Sequence, residues 1–260
     1  MSFLNDVLTD NIFGLRGRED TLALSEAVVN AIRKRLEKLY YISALRGYVP
    51  RTSITEEKPN WVGARGEYTT QLLSLVPEDI RFEDKKMKMI KWAGNFGLLD
   101  ISAGWRGGNQ LSSFFKDPKF NIILNSASSG QGSRQILPII VQLFYSDLGS
   151  VIMIEEPEIS LHIESQLELH KLFSEAIKEG KQVIVTTHSE HLILALKPLI
   201  ASGELKPEDV AIWHFEKTEE GTKAARLKLT GKGIVEGWIP SYVKAEKEII
   251  KEWVSTLPEA

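Results

Sequence analysis

The 260-residue sequence contains no cysteine, which excludes a disulfide framework, a cysteine nucleophile and a thiolate metal site. It has no long apolar run either. The longest, "HLILALKPLIA", is interrupted by Lys197 and Pro198 and is too short to cross a bilayer. The opening "MSFLNDVLTD" lacks the basic-then-apolar order of a secretory signal. These absences point to a cytoplasmic protein without a membrane partner. An excess of charge of one sign is missing too: the net charge is −3 and the pI is near 6.0. That excludes a surface basic all over, as a general nucleic-acid coat would need, but leaves local basic patches open. The last absence is the loop G-x-x-x-x-G-K-[ST], whose backbone amides and lysine cradle phosphates. Gly-Lys occurs only at Gly180–Lys181 and Gly231–Lys232, and neither pair is followed by Ser or Thr or preceded by a glycine five residues earlier.

What is present is a globular composition, 43% hydrophobic and 26% charged, in a chain long enough for one large core or two small ones. In "GREDTLALSEAVVNAIRKRLEKL" the apolar residues Leu24, Val28, Ile32, Leu36 and Leu39 fall near helical spacing. "YYISALRGYVPR" then reads as a short strand ending at Arg46, and "TSITEEKPNWVGARGE" as a loop. "YTTQLLSLV" and "EDIRFEDKKMKMIKWAGNFG" read as helices, and "LLDISAG" and "KFNIILNSA" as strands flanking the glycine-rich turn "GWRGGNQ". The second half alternates: helix "QILPIIVQLFYSD", strand "VIMIE", helix "ESQLELHKLFSEAIKEG" stopped by Gly180, strand "QVIVTT", helix "EHLILALKPLIASG", strand "VAIWHFEK" and a closing helix "VKAEKEIIKEWVSTL". This pattern predicts an α/β fold with a mainly parallel sheet flanked by helices. The expected division is residues 1–118 as a helical, partly irregular accessory segment and residues 119–260 as the core.

The stretch "VIMIEEPEISLH" runs four apolar residues straight into Glu155 and Glu156. Two carboxylates at the tip of a buried strand are costly unless a cation compensates them. The plain alternative is a strand followed by an exposed acidic turn. A strand ending in two acids is, however, the Walker B pattern, in which the first acid orients a Mg²⁺-bound water and the second polarises an attacking water. One strand later "VIVTTHSE" places His188 at a neighbouring tip, where a γ-phosphate would be sensed. Some twenty residues before the acids, "SASSGQGSRQILP" puts small residues and two glycines at the mouth of a helix, a point that attracts anions. Taken singly, the small-residue cluster is an ordinary loop and the histidine a packing or surface residue. Their order and spacing carry the weight.

This arrangement resembles the ABC-type ATPases of the SMC, RecF and OLD-like group. It looks most like the stand-alone "AAA family" ATPases in which Ile-Glu-Glu-Pro-Glu is followed by Leu-His. "YISALR" (Tyr41–Arg46), "VGARGE" (Val62–Glu67) and "GIVEGWIPSY" (Gly233–Tyr242) resemble accessory motifs of the same family. The resemblance implies a P-loop NTPase-type fold using ATP and Mg²⁺. Residue by residue, it implies that Ser128, Ser129, Gly130 and Gln131 form the signature that caps the γ-phosphate of a nucleotide held by a partner. It makes Glu155, at a position usually occupied by Asp, the metal-side acid, Glu156 the catalytic base and His188 the switch histidine. Glu158, Ser160 and His162 fall on the D-loop that crosses a dimer interface. The family's phosphate loop is the part not found, so the sequence reads as the carboxy-terminal portion of such an ATPase. Its expected partners are a Walker A-bearing amino-terminal segment or subunit and a second copy or related chain in a head-to-tail dimer, with nucleic acid as a further candidate.

Two rival readings stay open: a non-catalytic interaction module that keeps the ATPase shape, and an accessory subunit of a nucleic-acid-processing system. The remaining charged and aromatic features have plain readings. "RKRLEKL" and "KKMKMIKW" read as solvated helix faces, Trp92 and Trp105 as core or interface residues, and His214 as lacking acids at metal-ligand spacing.

Overall fold

The computed structural model describes residues 19–47, 51, 53–54, 59–75, 83–107, 110–237 and 239–256. The opening decapeptide, parts of the 52–67 loop, the start of the "EDIRFEDKK" segment, the middle of the "GWRGGNQ" turn and Trp238 of "GIVEGWIPSY" lie outside these residues. The chain divides into two compact units, residues 1–188 and 189–260.

In the first unit, helix α1 (Glu19–Leu36) precedes strand β1 (Leu39–Ile42) and the short β2 (Ser53–Ile54). Helices α2 (Thr69–Leu75) and α3 (Glu83–Asn95) follow, then strands β3 (Leu99–Gly107), β4 (Gln110–Lys116) and β5 (Ile123–Asn125). Helix α4 (Gln131–Tyr145), β6 (Val151–Glu155), α5 (Ile163–Lys178) and β7 (Gln182–Thr186) complete it. Strands β1, β6 and β7 form the expected parallel sheet in the order β1-β6-β7. Beside it, β2, β4, β3 and β5 make an antiparallel sheet with β4 at its centre.

The core is built on α4. Ile136, Leu137, Ile139, Ile140, Val141, Leu143 and Phe144 are all buried, because a helix apolar on every side has to be enclosed on every side. It packs against α2, α3, α5 and β6, while α5 packs on β7. Ile42, Ile152 and Ile154 form the buried face of the parallel sheet. The register puts Leu39, Tyr41, Val151, Met153 and Ile184 on the opposite face. That face is half open, with Ile184 at 45% exposure. Helix α3 is fastened by polar bonds. Lys85 reaches Tyr145 O at 2.9 Å and Asp147 at 2.8 Å, Lys88 pairs with Glu179, and Trp92 Nε1 donates to Glu175 Oε2 at 2.8 Å. Lys85 and Lys88 of "KKMKMIKW" therefore bind residues at the ends of α4 and α5 rather than only solvent. Trp92 is buried as expected, whereas Trp105 is exposed.

The second unit holds α6 (Glu190–Leu194), α7 (Leu196–Ala201), the antiparallel hairpin β8 (Ile212–Thr218) and β9 (Gly221–Leu227), and α8 (Pro240–Ser255). A single helix is expected over "EHLILALKPLIASG", but two short ones meet at Ala195. Pro198 has no N–H to give to the carbonyl four residues earlier, so continuous helix is not favoured there. No helix among the described residues is long and apolar enough to cross a membrane.

Among the polar side chains buried in this core, Gln142 has a defined role. Gln142 is fully buried, accepts a hydrogen bond from Val62 N at 2.9 Å and donates to Ser146 Oγ at 2.7 Å. Replacing it with an apolar residue of similar size leaves the Val62 N–H without its acceptor. Gln142→Leu should lower unfolding stability by about 1–3 kcal/mol despite its greater hydrophobicity. Urea denaturation with unchanged or increased stability would contradict this role.

Candidate functional site

The residues singled out by sequence collect at the carboxyl ends of β6 and β7. Glu155 is the last residue of β6 and pairs with Thr186 of β7. Glu156 follows at φ +41, a left-handed conformation unusual for a residue with a side chain and doubly so before a proline. Its backbone N–H donates to Thr186 O at 2.8 Å, which ties the turn to the neighbouring strand. From that turn the Glu156 carboxylate comes within 3.9 Å of His188 Nε2, and the imidazole itself is 90% exposed.

Beneath the acids lies Arg46, only 4% exposed. Its Nε donates to Gln135 O at 2.9 Å, Nη1 to Ser43 O at 3.1 Å and Glu155 O at 2.7 Å, and Nη2 to Glu156 O at 3.1 Å. One guanidinium thus joins the loop after β1, the first turns of α4 and the strained turn after β6. Burial pulls its pKa down to about 10, against the charges of Glu158 and Glu156 that pull it up, so it is fully charged at neutral pH. The expected strand through Arg46 ends earlier, at Ile42, and Arg46 sits in the turn beyond it. An arginine in the ladder could not reach these four carbonyls.

Each of the other acids has a distinct setting. Glu155 Oε2 accepts from Ala44 N at 3.2 Å. The Tyr41 hydroxyl also hydrogen-bonds to Glu155, which, with some desolvation and the carboxylate charge, raises the phenol above its ordinary pKa. Glu158 is 9% exposed and turned inward. Its Oε1 accepts from Thr187 Oγ1 at 2.6 Å and from His188 N at 3.0 Å. The third acid, two residues beyond the pair, therefore holds the backbone of the histidine.

The segment expected to be the signature forms a second cluster. Ser126–Ser128 is one turn of 3₁₀ helix capped by Asn125, whose Oδ1 accepts from Ala127 N at 2.9 Å. Ser129 Oγ donates to Ser126 O at 2.7 Å, leaving Ser128 on the outside. Gly130 caps α4 without a side-chain bond, Gln131 Oε1 accepts from Arg134 Nη2 at 2.8 Å, and the first turn contains no acid. An anion approaching this helix end meets unopposed backbone N–H dipoles. The cluster touches the loop after β6. A Cβ on Gly132 would lie 2.5 Å from Ser160 O, closer than any side chain fits, and Ser160 itself has φ +63. His162 caps α5 and is exposed, 3.9 Å from Glu164. The accessory motifs also meet: Ser43 N donates to Ala64 O at 2.8 Å and Gly47 N to Arg65 O at 3.1 Å, joining "YISALR" to "VGARGE".

The sequence pointed to Glu155, Glu156, Glu158 and His188, and the fold brings them together. It did not point to the roles of Arg46, Tyr41 or Thr187. Arg46 is the one charge in "YISALR", and neither that nor the segment's resemblance to an accessory motif says anything about the carbonyls it meets.

Part of the chain is similar to known proteins. Residues 69–193 match the profile of a family described as "AAA ATPase domain". Among solved structures, an SMC ATPase studied for ATP-driven dimerisation and DNA-stimulated activation shares 13% identity and a TM-score of 0.40, over 69% of this chain and 96% of that one. An Smc head domain with an extended coiled coil bound to the C-terminal domain of ScpA, derived from Pyrococcus furiosus, shares 10% identity and a TM-score of 0.42, over 66% of this chain and 38% of that one. An Smc head bound to the C-winged helix domain of ScpA shares 10% identity and a TM-score of 0.42, over 68% and 52%. No curated protein matches.

Two substitutions test the scaffold. Arg46→Met should cost about 3 kcal/mol or more, because it strands several buried carbonyls at once. Gly132→Ala should cost about 1–3 kcal/mol by forcing the Ser160 loop away. Denaturation curves showing either variant within 0.5 kcal/mol of the parent, roughly the range of neutral surface changes, would refute the corresponding contact. The segment that carries Ser128, the paired acids and His188, residues 69–193, thus matches an AAA ATPase domain, the family that its motifs resemble.

Proposed function

We propose that this chain supplies the signature, the Walker B acids and the switch histidine of an ABC-type ATP hydrolase that works as a head-to-tail dimer. Its phosphate loop would come from a Walker A-bearing segment or subunit. The observation that carries the reading is the set Glu155, Glu156, Glu158 and His188 at two adjacent parallel strand tips, fixed from below by Arg46. A solvated acidic turn would not need a buried guanidinium or a left-handed glutamate to hold it.

The residues suit ATP and Mg²⁺. Among the described residues no three His, Asp or Glu side chains are grouped to hold a metal by themselves. Mg²⁺ does not ask for that, since it commonly uses one or two carboxylates with phosphate and water completing its shell. Glu155, oriented by Ala44 N–H and Tyr41, would hold it, and the ion would neutralise phosphate charge when bound. Glu156, its side chain 36% exposed, would take the proton of the attacking water on its carboxylate. His188, its backbone fastened by Glu158, would hydrogen-bond the terminal phosphate. The open N-terminus of α4, with Ser128 beside it, suits the γ-phosphate of a nucleotide held on a partner. Ser160 and His162, both exposed, suit the dimer contact.

The half-open face of the parallel sheet supports a covering segment. Parallel sheets are ordinarily enclosed on both sides, yet here Leu39, Tyr41 and Ile184 meet solvent. With no phosphate loop of its own, the 260-residue chain should bind ATP no more tightly than about 1 mM, roughly 4 kcal/mol of binding. Micromolar binding by calorimetry would overturn the shared-site reading. In an assembly that hydrolyses ATP, Glu156→Gln should reduce turnover by roughly 10²–10⁴-fold while ATP still binds. Turnover within a few-fold of the parent would remove Glu156 as the base and favour the interaction-module reading.

A further inference from the structure

We infer that the β8–β9 hairpin is a binding platform for single-stranded nucleic acid. It rests on residues outside the 69–193 domain match and does not depend on the ATPase reading. The antiparallel register sets Trp213 opposite Arg226, Phe215 opposite Ala224 and Lys217 opposite Thr222. These six side chains share one face of the ribbon, and all are exposed, Trp213 at 53% and Phe215 at 66%.

Three features of that face match the chemistry of an unpaired strand. The two rings stand two residues apart on one strand, roughly 7 Å along it, so each can take one base. The residues across from and beside Phe215 are small: Ala224 and Thr222 leave the ring face uncovered, where a bulky neighbour would close it. The charges on the face are both positive, Arg226 at one end and Lys217 at the other, and suit a phosphodiester backbone running past the rings. The acids of the hairpin lie elsewhere. Glu216 pairs with Lys223 on the opposite face, Glu219 and Glu220 sit in the turn, and Glu220 holds Lys223 at 2.9 Å. A protein partner would exploit the rings equally well but would not call for this segregation of charge in a chain whose net charge is −3. Duplex DNA would not fit, because its bases are already stacked on one another.

The test is fluorescence anisotropy of the full chain with a labelled 12-nucleotide oligothymidylate at several salt concentrations. The expected result is saturable binding that Trp213→Ala and Phe215→Ala each weaken by about 5- to 150-fold. Trp213→Phe should restore affinity to within a few-fold, which separates loss of stacking from loss of fold. Arg226→Ala should flatten the slope of log affinity against log salt by about 0.7. A duplex of the same length should bind at least ten-fold more weakly. The inference fails if the oligonucleotide does not bind, if the aromatic variants bind as the parent does, or if the duplex binds equally well. It also fails if Trp213→Ala lowers the sedimentation mass without oligonucleotide, which would mean that a second copy covers the face.

Discussion

Arg46 is the constraint on which the rest of the site depends. A buried guanidinium is costly to desolvate and is tolerated only where its donors are met. Here four donor contacts end on four backbone carbonyls, those of Ser43, Gln135, Glu155 and Glu156. Backbone carbonyls are attractive partners for a structural cation because they cannot titrate away. With its pKa still at about 10, the group stays charged at every pH where the protein would work. Its placement explains why Glu156 can occupy a left-handed turn before a proline. The bonds from Arg46 to its carbonyl and from its own N–H to Thr186 offset a strain of about 1–3 kcal/mol.

That fixed turn divides the labour among three neighbouring acids. Glu155 is held by Ala44 and Tyr41, and Glu158 is turned inward to hold Thr187 and the backbone of His188. Glu156 alone points its carboxylate toward the exposed imidazole. An acid that is partly open and beside a histidine is placed to meet a water there. An acid already engaged by two donors is suited to position its neighbour. The link through Glu158 also means that a displacement of the loop after β6 must move the histidine after β7. This gives the proposed site a mechanical connection between its base and its phosphate sensor. Contact between Gly132 and Ser160 extends the connection to the start of α4.

The sequence was most readable where apolar pattern and element coincide. "VIMIE" became β6 over Val151–Glu155, the helix stopped by Gly180 became α5, and "QVIVTT" became β7, because a buried parallel strand and an amphipathic helix each announce themselves by local spacing. Strand β4 was missed for the same reason. Its Ser112 and Ser113 are buried but polar, bonded to Arg51 O at 2.7 Å and Thr70 Oγ1 at 3.2 Å, so no apolar run marks the strand. Strand β9 is almost wholly exposed and exists through its pairing with β8. The acids and histidine of the site were legible as types in order. What holds them was not, since three of the four Arg46 partners lie about 90 to 110 residues away in sequence and only the fold brings them together.

The most direct test of the account is a structure of the Glu156→Gln variant assembled with a Walker A-bearing polypeptide, ATP and Mg²⁺. The account predicts the γ-phosphate lying between the residue at position 156 and His188 of one chain and Ser128 of another, with Arg46 still bonded to the four carbonyls. A nucleotide bound away from the tips of β6 and β7, or no nucleotide in an assembly that retains this fold, would contradict it.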